Sequence, residues 1–293
     1  MLWQLLANGL VNGCLYAVMA LGFALIYNTT RIFHIAQGAV YTAAAYLCYL
    51  FLIQLRWPLT LSIGVALALT GFLGACAEWF VYAPLERRKA SLLVALLSSL
   101  GLYIVMINLI ALFFGNETKI LRPGVEATYH IGSVILTRIQ IAQVIAAVLL
   151  VPWLLLFIRD TRWGKMIRAV RDNPVLAMVM GVDLHAVRLM VFVIGSVLGG
   201  VAAILSALDV GMDPYVGMPA LLVAAVAMIV GGVGTFGGAV VGALLLGILQ
   251  SLVIWQVSAR WTDALTFGLL ILFVLFRPQG LLGGRRRLEE TSV

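Results

Sequence analysis

Long apolar runs separated by short polar intervals make up most of this 293-residue chain. The runs stay apolar for about 20 residues and do not alternate with a period of two, which favours membrane-spanning helices over the strands of a transmembrane barrel. The pattern predicts an all-α integral membrane protein with one membrane domain over residues 1–293. We place about nine transmembrane segments, two of them short, at residues 9–27, 35–54, 59–83, 91–114, 139–158, 188–208, 219–232, 237–256 and 262–276.

The longest polar interval covers about residues 159–187. It contains an amphipathic run, Trp163–Arg171, and a second run, Val175–Met180, which stops at Gly181. Between the two runs, Asp172-Asn173-Pro174 supplies a helix cap followed by a proline suited to the first helical position. The interval therefore predicts two short helices joined at a capped turn.

Basic residues are distributed unevenly between alternate polar intervals. Fourteen of the 19 Lys and Arg residues lie on the side that holds the longest interval, and five lie on the other side. The positive-inside rule makes the first side cytoplasmic, so we expect the N-terminus outside and the C-terminus inside. The longest interval then becomes a cytoplasmic loop between two halves of the domain, about 1–158 and 188–293. The net charge of +7 reports this orientation in the lipid bilayer, and we expect no nucleic-acid partner.

The composition agrees with a membrane location. Hydrophobic residues make up 63% of the chain and charged residues only 11%, whereas soluble domains carry roughly 25% charged residues. Residues 1–30 contain no charged side chain, so they lack the basic flank of a signal peptide and are expected to form a mature span. Cys14, Cys48 and Cys76 lie inside apolar runs, which argues against a disulfide framework or a metal cluster.

Two parts of the chain resemble each other at a separation of 200 residues. In each part an apolar run is interrupted and then resumes with a similar tetrad, Gln37–Val40 in the first copy and Gly237–Val240 in the second. The interruptions are Asn28–His34 and Gly231–Thr235. In the predicted topology both copies run in the same direction, so we predict a parallel internal repeat that contains broken helices.

The two interruptions are candidate elements of a transport path, because a break between half-helices frees backbone groups that protein, water or substrate must satisfy. The first interruption supplies polar side chains and the second supplies mostly backbone. For His34 and Gln37 the alternative role is a capping or interhelix hydrogen bond. The candidate path residues here are Asn28, Thr30, His34, Gln37, Gly38, Gly232, Gly234 and Gly237.

Glu78 is the only acidic residue well inside an apolar run. A carboxylate within the membrane is costly unless it is paired or hydrated, so Glu78 is a further candidate for the substrate path or for a proton site. The alternative is an ion pair near the membrane interface, since Arg87, Arg88 and Lys89 follow 9 to 11 residues later.

The sequence contains no catalytic motif that would indicate an enzyme. It lacks a phosphate-binding loop ending in Gly-Lys-Ser/Thr, and it lacks a His-Glu-x-x-His motif. The glycine cluster Gly231–Gly238 is followed by no lysine and by no acidic residue placed for a ribose, so we interpret it as a helix break. We expect no catalytic role, no cofactor and no metal site in this chain.

Five segments, in their order and spacing, resemble the permease subunits of the branched-chain amino acid class of ABC importers, specifically the LivH-like half of the permease pair. The resemblance covers nearly the whole chain. Its carriers are Asn12-Gly13 to Ile26-Tyr27 with Ile35-Ala36-Gln37-Gly38, Glu78 to Leu85 with Tyr82-Ala83-Pro84-Leu85, Arg168 to Pro174 with Met180-Gly181-Val182, Gly231 to Gly238, and Phe276-Arg277-Pro278-Gln279-Gly280-Leu281.

The resemblance implies a permease subunit of a bacterial inner (plasma) membrane that provides the translocation path. It implies as partners a second homologous permease subunit, two cytoplasmic ATPase subunits that bind ATP and Mg, and a periplasmic substrate-binding protein. The 159–187 loop then corresponds to the segment that docks on an ATPase. The resemblance gives as coupling residues Arg168, Arg171, Asp172, Pro174, Val175, Leu176, Ala177 and Gly181.

The resemblance implies an acidic residue followed by two alanines where this chain has Val175-Leu176-Ala177, and the missing acid argues against an acid-based contact here. The basic residues of the loop serve orientation first, so contact with an ATPase depends mainly on the apolar face. We therefore expect Val175, Leu176 and Ala177 to contribute more to docking than the arginines of the loop. The expected cargo is a branched-chain or other hydrophobic amino acid, with urea, short amides and small carboxylates as alternatives within the family. Outside the family, the open alternatives are a proton-coupled secondary transporter that uses Glu78 or His34, and a channel or structural membrane subunit.

Overall fold

The computed structural model describes residues 2–121, 128–131, 134–256, 261–277 and 279–283. Most of these residues are helical. An antiparallel hairpin of two short strands, β1 (Thr128–Ile131) and β2 (Val134–Thr137), precedes the sixth helix. The helices are α1 (Leu2–Thr30), α2 (Ala36–Tyr49), α3 (Leu59–Cys76), α4 (Ala83–Arg87), α5 (Leu92–Phe114), α6 (Arg138–Asp160), α7 (Arg162–Asp172), α8 (Pro174–Val179), α9 (Leu184–Val210), α10 (Gly217–Gly231), α11 (Phe236–Gln256) and α12 (Thr262–Phe276).

Seven continuous helices among the described residues are long and apolar enough to cross a membrane. They are Leu2–Thr30, Ala36–Gln54, Leu59–Arg87, Leu92–Phe114, Arg138–Asp160, Leu184–Val210 and Phe236–Trp255. Two further apolar helices, α10 and α12, are shorter. The all-α membrane fold is thus confirmed, and each predicted span falls on one of these helices. The count of nine crossings and the parallel repeat stay predictions.

Helix irregularities occur at positions that the hydrophobic pattern did not indicate. A π-helical turn, Leu50–Gln54, extends α2, and a second one, Ala77–Tyr82, joins α3 to α4 within a single continuous helix. In the predicted break at Asn28–His34, residues 28–30 continue α1, and the chain leaves the helix only between Thr30 and Ala36. Both α1 and α2 belong to helices long enough to cross a membrane. That break is therefore a connection between whole helices, and the expectation of half-helices on either side of it is wrong.

Helix α1 forms the centre of the bundle and packs against α9, α10 and α11. Small residues allow its backbone to approach these neighbours closely, as is typical of membrane helices. A Cβ atom added at Gly22 would lie 2.6 Å from the carbonyl oxygen of Gly195 on α9. One added at Gly9 would lie 2.8 Å from the Cα of Ile248 on α11. Glycine at these crossings is what permits the central helix to be enclosed.

The described parts of the intervals that were assigned to one side from their basic residues lie together, at what we call the basic end of the bundle. Arg285, Arg286 and Arg287, which belong to the same assignment, lie outside the described residues. Arg31, after α1, donates through Nη2 to the backbone oxygen of Arg171 on α7 at 3.4 Å. Arg171 donates through Nη1 to the backbone oxygen of Gly234, between α10 and α11, at 3.3 Å. Arg188, near the start of α9, pairs with Glu86 on α4. The side of the membrane that this end faces stays a prediction.

The opposite end holds the hairpin and the remaining connections. The side chain of Gln4 on α1 donates to the backbone oxygen of Ile135 on β2 and accepts from its amide, each at 2.8 Å. Lys119 pairs with Met212 through two backbone hydrogen bonds, which joins the segment after α5 to the segment after α9. These contacts close the end of the bundle that faces away from α7 and α8.

Candidate functional site

His34 lies in the connection between α1 and α2 and is fully buried. Its Nδ1 shares a 2.6 Å hydrogen bond with the hydroxyl of Tyr82, at the end of the π turn Ala77–Tyr82. Its ring packs edge-on against Phe192 of α9, with ring centroids 5.0 Å apart. Burial lowers the pKa of His34 to about 3, so the imidazole is neutral at physiological pH. The geometry is that of an interhelix hydrogen bond, the alternative role considered above.

Asn28 joins the two interruptions directly. Its side-chain oxygen accepts a 3.0 Å hydrogen bond from the amide of Gly234, while its side-chain nitrogen finds no partner among the described residues. Gly232 and Gly234 have φ angles of +117° and +94°, a backbone conformation that favours glycine. Gly237 has neither a positive φ nor a close neighbour within the described part of the chain. The structure therefore gives Gly232 and Gly234 a clear conformational role, but not Gly237.

Gln37 and Gly38 begin α2 and pack it against two other helices. The Gln37 side-chain nitrogen donates to the backbone oxygen of Gly195 on α9 at 2.8 Å. A Cβ atom at Gly38 would lie 2.9 Å from the backbone oxygen of Gly217 on α10. Thr30 is satisfied locally, since its hydroxyl donates to the backbone oxygen of Ile26 at 2.8 Å. These positions are parts of helix packing within the chain.

Glu78 forms a buried ion pair with an arginine that its position in the sequence did not suggest. The carboxylate accepts from Nε of Arg188 at 2.8 Å and from Nη2 at 3.4 Å, and Arg188 also contacts Glu86. Glu78 is 0% exposed and Arg188 is 6% exposed. An ion-pairing role for Glu78 agrees with the structure, but the partner comes from the start of α9 and not from Arg87, Arg88 or Lys89.

The 159–187 loop contains the two capped helices that the sequence predicts. Thr161 caps α7 by accepting from the amide of Gly164 at 2.9 Å, and Asn173 caps α8 by accepting from the amide of Leu176 at 3.0 Å. Pro174 occupies the first turn of α8, and Gly181 follows with a φ of +82°. Each cap satisfies a backbone amide that a helix start would leave free.

Several polar residues of the loop bind within the loop or to the bundle. Arg168 donates to the backbone oxygen of Arg159 at 3.0 Å, and Arg171 pairs with Asp172 at 2.9 Å. The guanidinium of Arg171 also lies 5.8 Å from the ring centroid of Phe236, at the start of α11. Arg171 thus fastens α7 to the α10–α11 connection.

The exposed face of the loop is apolar. Val175 and Leu176 are exposed, whereas Ala177 is buried and packs inward. The docking role of the three residues stays a prediction, and the burial of Ala177 makes it a weaker candidate than its two neighbours. The sequence analysis missed three neighbours, Met178, Val179 and Met180, which are 55–78% exposed. The signal that could have identified them is the apolar run Val175–Met180 itself, which lies inside a polar interval and stops at Gly181.

Among the described residues, the buried candidates are enclosed by the helices and do not line an open channel. Asn28, His34, Gln37 and Glu78 are each 0% exposed. A cavity of about 170 Å³ at the basic end is lined by residues that include Thr30, Tyr82, Glu86 and Arg188, and by none of these four candidates. Within the described residues, no group of three or more potential metal ligands comes together.

Comparison with known proteins gives consistent results. Residues 5–275 match the family profile described as the branched-chain amino acid transport system permease component. The chain is 30% identical to the high-affinity branched-chain amino acid transport system permease protein LivH of Escherichia coli K12, over 96% of this chain and 95% of that protein. It is 31% identical to the corresponding permease protein BraD of Pseudomonas aeruginosa, with the same coverage. Its fold is similar to PsaBC from Streptococcus pneumoniae, solved in complex with Fab, with a TM-score of 0.53, 13% identity, and coverage of 93% of this chain and 91% of that one.

Proposed function

The chain belongs to the branched-chain amino acid permease family, and from this membership we propose that it is the translocation subunit of an ATP-driven importer for branched-chain or other hydrophobic amino acids. Partner ATPases would bind and hydrolyse ATP with Mg, and a second homologous permease would complete the path. A periplasmic binding protein would deliver the cargo. The chain itself is a multi-pass membrane protein of a transport family and carries no catalytic role in this proposal.

The apolar face of α8 at the basic end is the observation that carries the proposal. Leu176, Val179 and Met180 are 58–78% exposed on a short helix that is held outside the long apolar helices. Exposed clusters of this kind mark protein interaction sites. The basic residues around the cluster favour a cytoplasmic position by the positive-inside rule, where a partner ATPase would be found.

The hydrogen bonds that hold α7 against the helix bundle support a mechanical role for the same loop. Arg171 binds the backbone oxygen of Gly234 and receives a hydrogen bond at its own backbone oxygen from Arg31. These contacts link the loop to both interruptions, so a displacement of α7 and α8 by a partner would act on α1, α2, α10 and α11. Alternating access by movement of packed helices is a known way to couple such a displacement to transport.

A proton-coupled secondary transporter is a weaker proposal, because the two residues that it would need are already engaged. His34 is buried, neutral and hydrogen-bonded to Tyr82. Glu78 is bound by Arg188 through two hydrogen bonds. A site that loads and releases protons needs access to water in at least one state, and neither side chain has it in this conformation.

The names of the relatives support an amino acid as cargo. The proposal is tested by measuring how each candidate cargo stimulates ATP hydrolysis. The complex of this chain with its partner permease, ATPases and binding protein is assayed with leucine, valine, urea, acetamide and acetate. Stimulation by leucine or valine is the expected result. Stimulation by urea, acetamide or acetate alone would replace the proposed cargo, and stimulation by none of the five would contradict an importer for these molecules.

Deletion of Lys165 to Gly181 is expected to abolish the stimulation of ATP hydrolysis. A chain with this deletion that still assembled and still coupled ATP hydrolysis to cargo would refute the docking role of the loop.

A further inference from the structure

We propose that Arg188 is a positioning residue that passes movement of the 159–187 loop to the π turn Ala77–Tyr82 and through it to the α1–α2 connection. This inference rests on the proposed function, because it assigns a route by which a displacement of the loop would reach the helix bundle. Arg188 lies only four residues after Leu184, where α9 begins, and α9 follows the loop directly. It is therefore the buried cation nearest in sequence to the exposed face of α8.

The contact between Arg188 and Glu78 is rigid for a physical reason. Both side chains are almost completely buried, and the guanidinium binds the carboxylate through Nε and Nη2. Bidentate pairing fixes the relative orientation of the two groups. Separating them inside the bundle would leave an unpaired charge in a medium that cannot solvate it, which is strongly unfavourable. A displacement at the start of α9 is therefore expected to carry Glu78 with it.

The π turn is what allows Arg188 to contact two carboxylates of one helix. In a regular α-helix, Glu86 would be rotated by roughly 80° from Glu78 around the helix axis. A π turn takes up one additional residue, which rotates Glu86 back by roughly 100° and brings it to within roughly 20° of Glu78. The contacts of Arg188 with both Glu78 and Glu86 follow from this alignment.

The same turn holds the α1–α2 connection. Tyr82, its last residue, binds His34 at 2.6 Å. Phe192 lies one turn after Arg188 on α9 and packs against both rings, at 5.0 Å from His34 and 5.1 Å from Tyr82. Arg188 and Phe192 thus form one face of α9 that contacts the π turn. The chain of contacts runs from the loop to Arg188, then to Glu78 and Tyr82, and ends at His34.

The surroundings of this link leave room for it to move. The cavity of about 170 Å³ at the basic end is lined by Arg188, Glu86 and Tyr82. The cavity gives these side chains space to shift together while the Arg188–Glu78 pair stays intact, whereas the close-packed apolar core resists small displacements. The contact between Arg188 and the π turn therefore lies where the helices can change their arrangement while the buried apolar core stays the same.

The test compares coupling with assembly in the complete transport complex. The double variant Glu78→Gln with Arg188→Gln removes both charges together, so no buried charge is left unpaired. We expect this variant to assemble and to retain basal ATP hydrolysis, while the stimulation of ATP hydrolysis by leucine-loaded binding protein falls by about fivefold or more. The matched control is Arg88→Gln, an exposed arginine at the same end, which should leave the stimulation unchanged.

Wild-type stimulation in the double variant would overturn the proposal, because the pair would then be needed only for packing or not at all. If the double variant does not assemble, Arg188→Lys decides, since lysine keeps the charge but cannot reproduce the bidentate contact. Normal stimulation with Arg188→Lys would overturn the proposal, and a reduced stimulation at normal assembly would support it. The proposed function has a separate point of failure: it fails if the wild-type complex shows no stimulation, before any variant is compared.

Discussion

The amide of Gly234 donates a 3.0 Å hydrogen bond to the side-chain oxygen of Asn28, and so joins two interruptions of the apolar pattern that are 206 positions apart in sequence. Asn28 is completely buried at the end of α1, and Gly234 lies between α10 and α11. Arg171 of the loop binds the carbonyl of the same glycine. One residue, Gly234, therefore connects the central helix to the loop proposed to dock on an ATPase.

Replacing Asn28 by alanine is expected to destabilise the fold. The amide of Gly234 would lose its partner in a partly buried position, which costs about 1–3 kcal/mol. The measurement is the unfolding free energy or the thermal midpoint of the detergent-solubilised protein. Asn108→Ala is the matched control, because Asn108 is exposed on α5 and its side chain donates to the backbone oxygen of Ile104 in its own helix. Equal losses in the two variants would contradict the role given to Asn28.

Gly22→Ala is expected to separate α1 from α9. The added methyl group would lie 2.6 Å from the backbone oxygen of Gly195, and a backbone atom cannot move aside as a side chain can. We expect a marked fall in the yield of monodisperse protein and in its thermal midpoint. Gly101→Ala on α5 is the control, since a Cβ atom there meets no described atom within 4 Å and alanine favours a helix by about 1 kcal/mol over glycine. A Gly22→Ala protein as stable as Gly101→Ala would refute the close crossing.

The buried His34 makes a prediction about pH. Its pKa is about 3 in the folded protein and about 6.5 when exposed, so the folded state resists protonation. The stability that neutral His34 confers is complete above pH 6.5 and decreases as the pH falls from about 6.5 toward 3. Thermal midpoints at pH 7.5, 6 and 5 should therefore fall more steeply for the wild type than for His34→Gln. Parallel curves for the two proteins would contradict the burial of a neutral imidazole.

Leu176→Asp is expected to weaken docking while leaving the fold intact. Leu176 is 58% exposed on α8, so a carboxylate there remains hydrated in the free chain but opposes an apolar contact with a partner. Co-purification of the ATPase subunits should be lost or strongly reduced. The control, Leu55→Asp, changes a leucine that is 50% exposed at the opposite end, near the π turn Leu50–Gln54. Loss of the ATPases in both variants, or in neither, would count against α8 as the docking surface.

The sequence predicted the elements that depend on local chemistry. The apolar runs predicted the long helices, because about 20 apolar residues leave few alternatives to a membrane span. Asn173 and Pro174 lie where the second short helix begins, because the Asn173 side chain accepts from an amide three positions away and proline suits the first helical turn. The grouping of the basic intervals at one end also followed, because alternate connections of a helical bundle must meet at the same end.

The sequence did not predict relationships set by packing between distant segments. The partner of Glu78 is 110 positions away, and nothing near Glu78 in sequence indicates Arg188. The π turn Ala77–Tyr82 leaves the apolar pattern unchanged, so hydrophobicity alone does not reveal it. Ala177 was expected to dock, but its small side chain fits against the bundle while its larger neighbours remain outside. These outcomes depend on which helices meet, and that is decided by the whole fold.

Uptake of radiolabelled leucine into liposomes tests most directly whether this chain is a passive path driven by partner ATPases. One set of liposomes holds the complete complex with binding protein and ATP, and another holds this chain alone under an imposed proton gradient. The account predicts uptake by the complex that requires ATP hydrolysis, and no uptake by the chain alone. Uptake by the chain alone that follows the proton gradient, or uptake by the complex without ATP, would contradict it.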